Sequence, residues 1–357
     1  MGVGRMTDDD RSDEYRETWQ DDGDPLAAMF NGSWLDSQDF PPLEYVVPGL
    51  IPEGFGLLVA PPKAGKSWLV CGIGLGCASG GLTLGRISVD KRAVLYLALE
   101  DGKRRLQFRS RRLMRGEALP AGIHFILKAK PAQVIPIIAE FLERYGDEKP
   151  LIIVDTLGKA RPPRPAGTDM YAWDYAIGTQ LKDTIDTVPG AALLVVHHTR
   201  KTETADFVDS VSGSHGIAGS ADFVLALSRK RQSDEALLSV TGRDVMEGEY
   251  ALTTTEGHWL LDGEDLRESS AIAVERRDTQ ALSDRAADAL KFVNSRPQGT
   301  RPLDLADYLD ISVNDAGTYL RRLASKDRVK KLGRGVFAPM SSVSEVSYSE
   351  EYEAWNE

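Results

Sequence analysis

From residue 45 to residue 245 two kinds of stretch alternate along the chain. Apolar runs bounded by Gly, Pro or acids read as buried strands. They are the end of "YVVPGLIPEGFGLLVAP" (45–61), "RAVLYLALED" (92–101), "IHFIL" (123–127), "PLIIVDTLG" (150–158), "AALLVVHHTRK" (191–201), "DFVLALSRK" (222–230) and "EALLSVTGRDV" (235–245). Between them lie stretches with helical spacing. One follows Lys66 and carries Trp68, Leu69, Cys71 and Ile73; another covers 132–146, with Pro136 in its first turns; a third covers 170–187. Apolar strands alternating with helices predict an α/β fold whose mostly parallel sheet is covered on both faces.

The pattern weakens over 262–280, "DGEDLRESSAIAVERRDTQ", which reads as a linker. Beyond it, "LSDRAADALKFV" (282–293) has an apolar stripe behind Ser283, a candidate N-cap. A short helix follows over 303–310. A third covers 313–328, with Val313, Ala316, Leu320 and Leu323 on one face. "VKKLGRGVFAP" (329–339) then reads as a Gly-centred hairpin. Helix, helix–turn–helix and hairpin make a small winged-helix layout. The expected organisation is an acidic disordered tail (1–40), an α/β core (41–262), the linker (263–280), a winged-helix domain (281–340) and a second acidic disordered tail (341–357).

Composition changes this picture little. With 357 residues and 42% hydrophobic content, two domains with sizeable cores are affordable. The net charge of −11 sits in the tails: residues 1–25 carry −6 and residues 341–357 carry −5. The rest is formally neutral, so the negative total does not exclude nucleic acid as a partner. Cys71 and Cys77 fall on one helix and suggest a reducing compartment. No apolar window reaches the ~18 residues of a membrane span, and no signal peptide is recognisable, so the expected location is the cytoplasm.

Candidate chemistry concentrates at strand ends. Ala60, Pro61, Pro62, Lys63, Ala64, Gly65, Lys66 and Ser67 match the phosphate-loop pattern G-x-x-x-x-G-K-[ST], with Ala in place of the first Gly. Backbone N–H groups and a helix N-terminus hold phosphates there. Lys66 serves the β/γ-phosphates, and the Ser67 hydroxyl serves Mg²⁺. Glu100 and Asp155 close two apolar strands. Parallel strands put both carboxylates on the side of the phosphate loop. Asp155 is a candidate to support Mg²⁺ and Glu100 to orient water, with ATP as the substrate.

In this order, "APPKAGKS", "VLYLALED", "LIIVDTLG", "LLVVHHTRK" and "LLSVTGRDV" resemble the RecA-like ATPase core over roughly residues 45–260. The paired histidines make the chain similar to the RepA-type hexameric replicative helicases of plasmids and phages. The resemblance implies Glu100 as the water-polarising base and Asp155 as the acid of the second nucleotide motif. It implies His197 or His198 as a sensor of the γ-phosphate. It also implies a homo-oligomer, a hexamer, acting on single-stranded DNA. Arg243 in "VTGRDV" resembles the finger that such rings insert into the neighbouring subunit's site; Arg200 and Arg229 are weaker candidates. The chain departs from the plasmid helicases at Val211-Ser212-Gly213-Ser214, where a basic residue usually precedes the Gly-Ser pair.

Lys159, Arg161 and Arg164, and Arg200 and Lys201, lie in long segments after core strands and are candidates to grip single-stranded DNA. Between Arg321 and Arg334 stand seven bases and one acid, Asp327. Arg321, Arg322, Lys326, Arg328, Lys330, Lys331 and Arg334 suit duplex phosphates. The competing expectations are a RecA-like ATPase without unwinding activity, such as a recombination mediator or replication initiator, and an ATPase that regulates by binding DNA.

Overall fold

The computed structural model describes residues 26, 28–198, 215–230 and 233–340. It divides into two compact units, Met1–Ala273 and Val274–Glu357.

The first unit is built on nine strands in one sheet. In chain order they are β1 (Gly54–Ala60), β2 (Val94–Ala98), β3 (Ile123–Ile126), β4 (Leu151–Asp155), β5 (Ala192–His198), β6 (Phe223–Arg229), β7 (Glu235–Gly242), β8 (Gly248–Thr255) and β9 (His258–Leu261). Their order across the sheet is β9-β8-β7-β6-β1-β5-β4-β2-β3. From β6 to β3 all neighbours pair parallel. β7, β8 and β9 are added antiparallel at the far edge. The fold is therefore α/β with a large, mostly parallel sheet, as the alternation of runs predicts, and it fits the RecA-like core that the motifs resemble.

The parallel strands are nearly continuous in apolar character because both faces are covered. Along β1, Leu58 and Ala60 join one core while Phe55, Leu57 and Val59 join the other. The first core is filled from helix α1 (Lys66–Ser79), which follows the phosphate loop. Helix α2 (Lys103–Leu113) contributes Leu106 to the same side. Helices α3 (Val134–Tyr145) and α4 (Met170–Ile185) fill the second core with Ile138, Leu142, Ile177, Leu181 and Ile185. Pro136 is the third residue of α3, where its missing N–H costs no helical bond.

At the N-terminal edge of the parallel strands, Asp222 is a structural tie. Its carboxylate accepts from the Phe55 N–H at 3.0 Å and from Lys182 Nζ at 2.7 Å.

Two sequence expectations need revision. The segment read as a linker is helical: α5 runs unbroken over Leu266–Asn294, and the boundary between the units falls within it. Position 283 therefore falls inside a helix and not at its start. The true start carries a reciprocal cap. The Glu268 N–H donates to Asp265 Oδ1 at 2.8 Å, and the Glu264 N–H donates to Glu268 Oε2 at 2.8 Å. No Gly or Pro interrupts the 29 residues that follow, so nothing stops the helix. The segment 1–40 is also not uniform. Gly32–Asp36 forms a short helix with Asn31 as its N-cap, the Trp34 N–H donating to Asn31 Oδ1 at 2.9 Å.

The second unit contains the end of α5, helix α6 (Pro302–Leu309), helix α7 (Val313–Ser325) and a hairpin of β10 (Val329–Gly333) with β11 (Val336–Pro339). Ala289, Val293, Leu305, Ala316, Leu320 and Phe337 form its core. Ser312 caps α7 by accepting from the Asp315 N–H at 3.1 Å.

Candidate functional site

The phosphate loop is a product of strand order. β1 lies between β5 and β6, and its C-terminal end opens where the connections leave in opposite directions. Ligands of open α/β sheets bind at such points. Ala60 ends the strand, Lys63 turns with φ 67° and Gly65 with φ 104°, and α1 begins at Lys66. A left-handed φ at Gly65 favours glycine. A Cβ there would also lie 2.8 Å from Cζ2 of Trp259. The Trp259 indole N–H donates to the Gly65 carbonyl at 3.2 Å, which locks the turn.

Lys66 is only 5% exposed, and its Nζ donates to the carbonyls of Ala60 and Pro61, both at 2.8 Å. Burial lowers its pKa to about 8, against the opposing charges of Asp155 and Glu100. A bound polyphosphate favours the charged amine, so binding is coupled to proton uptake above that value. Nucleotide affinity is expected to hold below pH 8 and then to weaken, approaching tenfold per pH unit. Isothermal titration between pH 7 and 9.5 in two buffers of different ionisation enthalpy checks it; a flat profile without proton uptake removes Lys66 as the titrating group.

Asp155 ends β4 beside β2, with Ala98 opposite it in register. Burial raises its pKa above the usual carboxylate value, while hydrogen bonds from Ser67 and Tyr96 oppose that rise. The Tyr96 hydroxyl donates to Asp155 Oδ2 at 2.9 Å. Burial also holds the Tyr96 phenol far above its ordinary pKa, so it stays a neutral donor. Ser67 and Asp155 thus form a hydroxyl–carboxylate pair at the helix N-terminus. This donor set fits Mg²⁺, a hard cation that takes oxygen ligands and supplies charge neutralisation to phosphates.

Glu100 lies just past β2 and is exposed, its Oε1 accepting from the Thr156 hydroxyl at 2.9 Å. Thr156 is the residue that directly follows Asp155, and the bond between them is cis. The neighbouring Asp101 has a different place. Its side chain is 8% exposed and is engaged by Arg105 at 2.8 Å and Arg109 at 2.6 Å. Of the two adjacent acids, only Glu100 is open to water.

His197 and His198 end β5, level with Val59 and Ala60. His198 Nε2 is 3.9 Å from Glu100 Oε2. His197 is half-buried, and burial, with Arg161 nearby, depresses its pKa below the ordinary imidazole value. The sheet therefore brings Lys66, Ser67, Glu100, Asp155 and the histidines to one edge.

Arg243 lies elsewhere. Gly242 is level with Phe223, which is level with Gly56, four residues before Ala60 on β1. That is about 13 Å of strand below the loop. The Arg243 N–H donates to the Asp222 carbonyl at 2.9 Å, its guanidinium is 3.9 Å from Asp222 Oδ1, and its side chain is 64% exposed. Arg243 stands at the edge opposite its own phosphate loop.

The remaining candidates are dispersed. Lys159 is exposed; Arg161 is tied to Asp174 at 2.6 Å; Arg164 donates to the Thr168 carbonyl at 3.0 Å. Arg200, Lys201 and the Val211–Ser214 stretch lie outside the described residues. Arg321, Arg322, Lys326, Arg328, Lys330, Lys331 and Arg334 are all exposed along the end of α7 and the hairpin. Sequence reading missed Tyr96, Thr156 and Trp259. Tyr96 and Thr156 flank the two acids, but Trp259 gave no sequence signal because it reaches Gly65 only through the sheet.

What the sheet brings to this edge is the equipment of a P-loop ATPase of the RecA-like class. Residues 24–204 match the family model described as AAA domain; this is more than half of the chain, which therefore belongs to that family. No curated protein matches. Among solved structures, a DnaB-like replicative helicase is similar at 13% identity and a TM-score of 0.47, over 58% of this chain and 57% of its own. A KaiC-like protein from Pyrococcus horikoshii OT3 is similar at 13% identity and 0.42, over 61% and 91%. The RadB recombinase is similar at 13% identity and 0.40, over 60% and 91%. Among the described residues, no helix is long and apolar enough to cross a membrane.

Proposed function

We propose that the protein is an ATP-hydrolysing DNA motor of the RepA-like replicative helicase kind, working in the cytoplasm as a ring of identical subunits, a hexamer, on single-stranded DNA. The observation that carries the reading is the contact of Glu100 with both Thr156 and His198 beside the phosphate loop. It links a water-orienting carboxylate to a strand-end histidine that leads straight into the long 199–214 segment. In this reading Lys66 and the loop hold ATP, Ser67 and Asp155 hold Mg²⁺, and Glu100 accepts the proton of the attacking water. His198, with His197 behind it, reports the γ-phosphate to the segments carrying Lys159, Arg161, Arg164, Arg200 and Lys201. Arg243, remote from its own site, completes a neighbour's.

The second unit is read as a winged helix that grips duplex DNA through the basic face of α7 and the hairpin. That face also supports a second reading, an ATPase that acts as a DNA-binding regulator. Mass photometry with and without ATP and single-stranded DNA, followed by strand displacement, separates the two. The motor reading expects ATP-dependent assembly and unwinding; a monomer under all conditions discards it. In the same preparation, reversing Lys330, Lys331 and Arg334 to Glu should weaken duplex binding and flatten its salt dependence. Unchanged affinity and slope would remove the winged-helix contact.

A further inference from the structure

Helix α2 begins three residues after Glu100 and carries a charge that the nucleotide chemistry does not use. Residues 103–115 hold seven bases and no acid. Among the described residues, Asp101 answers Arg105 and Arg109, and Glu256 answers Arg112 at 3.1 Å. Lys103, Arg104, Arg111 and Arg115 are exposed, with no acidic partner among the described residues. The inner face of the helix is set by Leu106, Arg109 and Ser110, which are buried. Away from them, at spacings of four, three and four, stand Arg104, Phe108, Arg111 and Arg115, which form one outward stripe. Phe108 is 57% exposed, and the Arg112 guanidinium lies 5.9 Å from its ring centre. None of the residues read from the sequence as DNA contacts lies on this helix.

The arrangement is unfavourable for the helix by itself. Lys103, Arg104 and Arg105 occupy its first turn, where the macrodipole favours anions, and Gly102 supplies no side-chain cap. Like charges face each other four residues apart at Arg105 and Arg109 and at Arg111 and Arg115. A large apolar ring is left in water between them. A polyanion offsets the charge repulsion, and a base stacked on Phe108 covers the ring. Single-stranded nucleic acid meets both needs at once, because its phosphates follow a cationic stripe while its bases stack on aromatic rings. A duplex keeps its bases paired inside and has none to offer the ring. From Arg104 to Arg111 the stripe runs about 10 Å along the helix, the length of about three stacked nucleotides. We propose that the outer face of α2 binds single-stranded nucleic acid, with Arg104, Arg111 and Arg115 on the phosphates and Phe108 under a base. This contact needs neither ATP nor turnover, so it stands or falls apart from the ATPase reading.

The test is fluorescence anisotropy of the full chain without nucleotide, over a range of salt concentrations, with an oligothymidylate of about 20 nucleotides as probe. Replacing Arg104, Arg111 and Arg115 together by Glu should lower affinity at least about tenfold and reduce the salt slope by about 2, three contacts at roughly 0.7 each. Phe108→Ala should lower affinity about tenfold with the slope unchanged, and Phe108→Trp should retain it. All four side chains are exposed and outside the nucleotide site, so basal ATP hydrolysis is expected to stay at the wild-type rate. Unchanged affinity in the triple variant or in Phe108→Ala overturns the proposal. A Phe108→Ala loss as large for polyglutamate as for oligothymidylate also overturns it, because the face would then suit an acidic protein segment. The expected losses in a chain that neither hydrolyses ATP nor unwinds DNA would overturn the motor reading and leave this surface standing.

Discussion

Glu100→Gln is expected to keep ATP binding and lose turnover. The amide keeps the side chain's size and an oxygen to accept from the Thr156 hydroxyl, so the local structure persists. It cannot take a proton from water, and a general base of this kind contributes roughly 10²–10⁴ in rate. Steady-state hydrolysis should fall by that factor while the dissociation constant for ATP moves little. Single-turnover rates checked beside equilibrium binding decide the matter. Near wild-type hydrolysis would remove Glu100 as the base. Asp101 is then no ready substitute, because its carboxylate is already engaged by Arg105 and Arg109.

Arg243→Ala should spare ATP binding and assembly and still lose hydrolysis by about 10³ or more, the usual weight of a guanidinium that acts on transition-state charge from a neighbouring subunit. The position of Arg243 at the opposite edge of the sheet places it away from its own phosphate loop, so in the proposed ring its loss is expected to act on a neighbour's site. Mixing Arg243→Ala with Glu100→Gln then creates some interfaces that hold both intact groups. Hydrolysis should reappear weakly across mixing ratios once subunit exchange is confirmed. No recovery at any ratio would leave Arg243 as a local partner of Asp222.

The sheet was readable because its parallel strands are buried on both faces and announce themselves as apolar runs. The common edge of the phosphate loop, Glu100 and Asp155 was readable because each stands at the end of a parallel strand. What the sequence concealed depends on sheet geometry. Arg243 follows its strand closely in sequence, yet an antiparallel strand ends at the wrong edge for its own nucleotide. Which of the adjacent acids Glu100 and Asp101 is open was equally hidden, since Arg105 and Arg109 return to Asp101 only after α2 has turned. The first part of the helix over 266–294 was read as linker because its weak amphipathic pattern hid a sound N-terminal cap at Asp265 and Glu268.

The bond from Trp259 to Gly65 spans 194 positions. The turn that cradles phosphates thus takes its final form only after the last strand of the sheet has been added. A contact of this sequence separation is among the slowest kinds to form. During synthesis the phosphate loop emerges from the ribosome well before its brace does. A nascent or truncated chain ending near residue 204, where the family match stops, contains the whole loop sequence but not Trp259. The indole brace on the phosphate loop is therefore a property of the completed sheet, supplied by an antiparallel edge distant in sequence from every recognised motif.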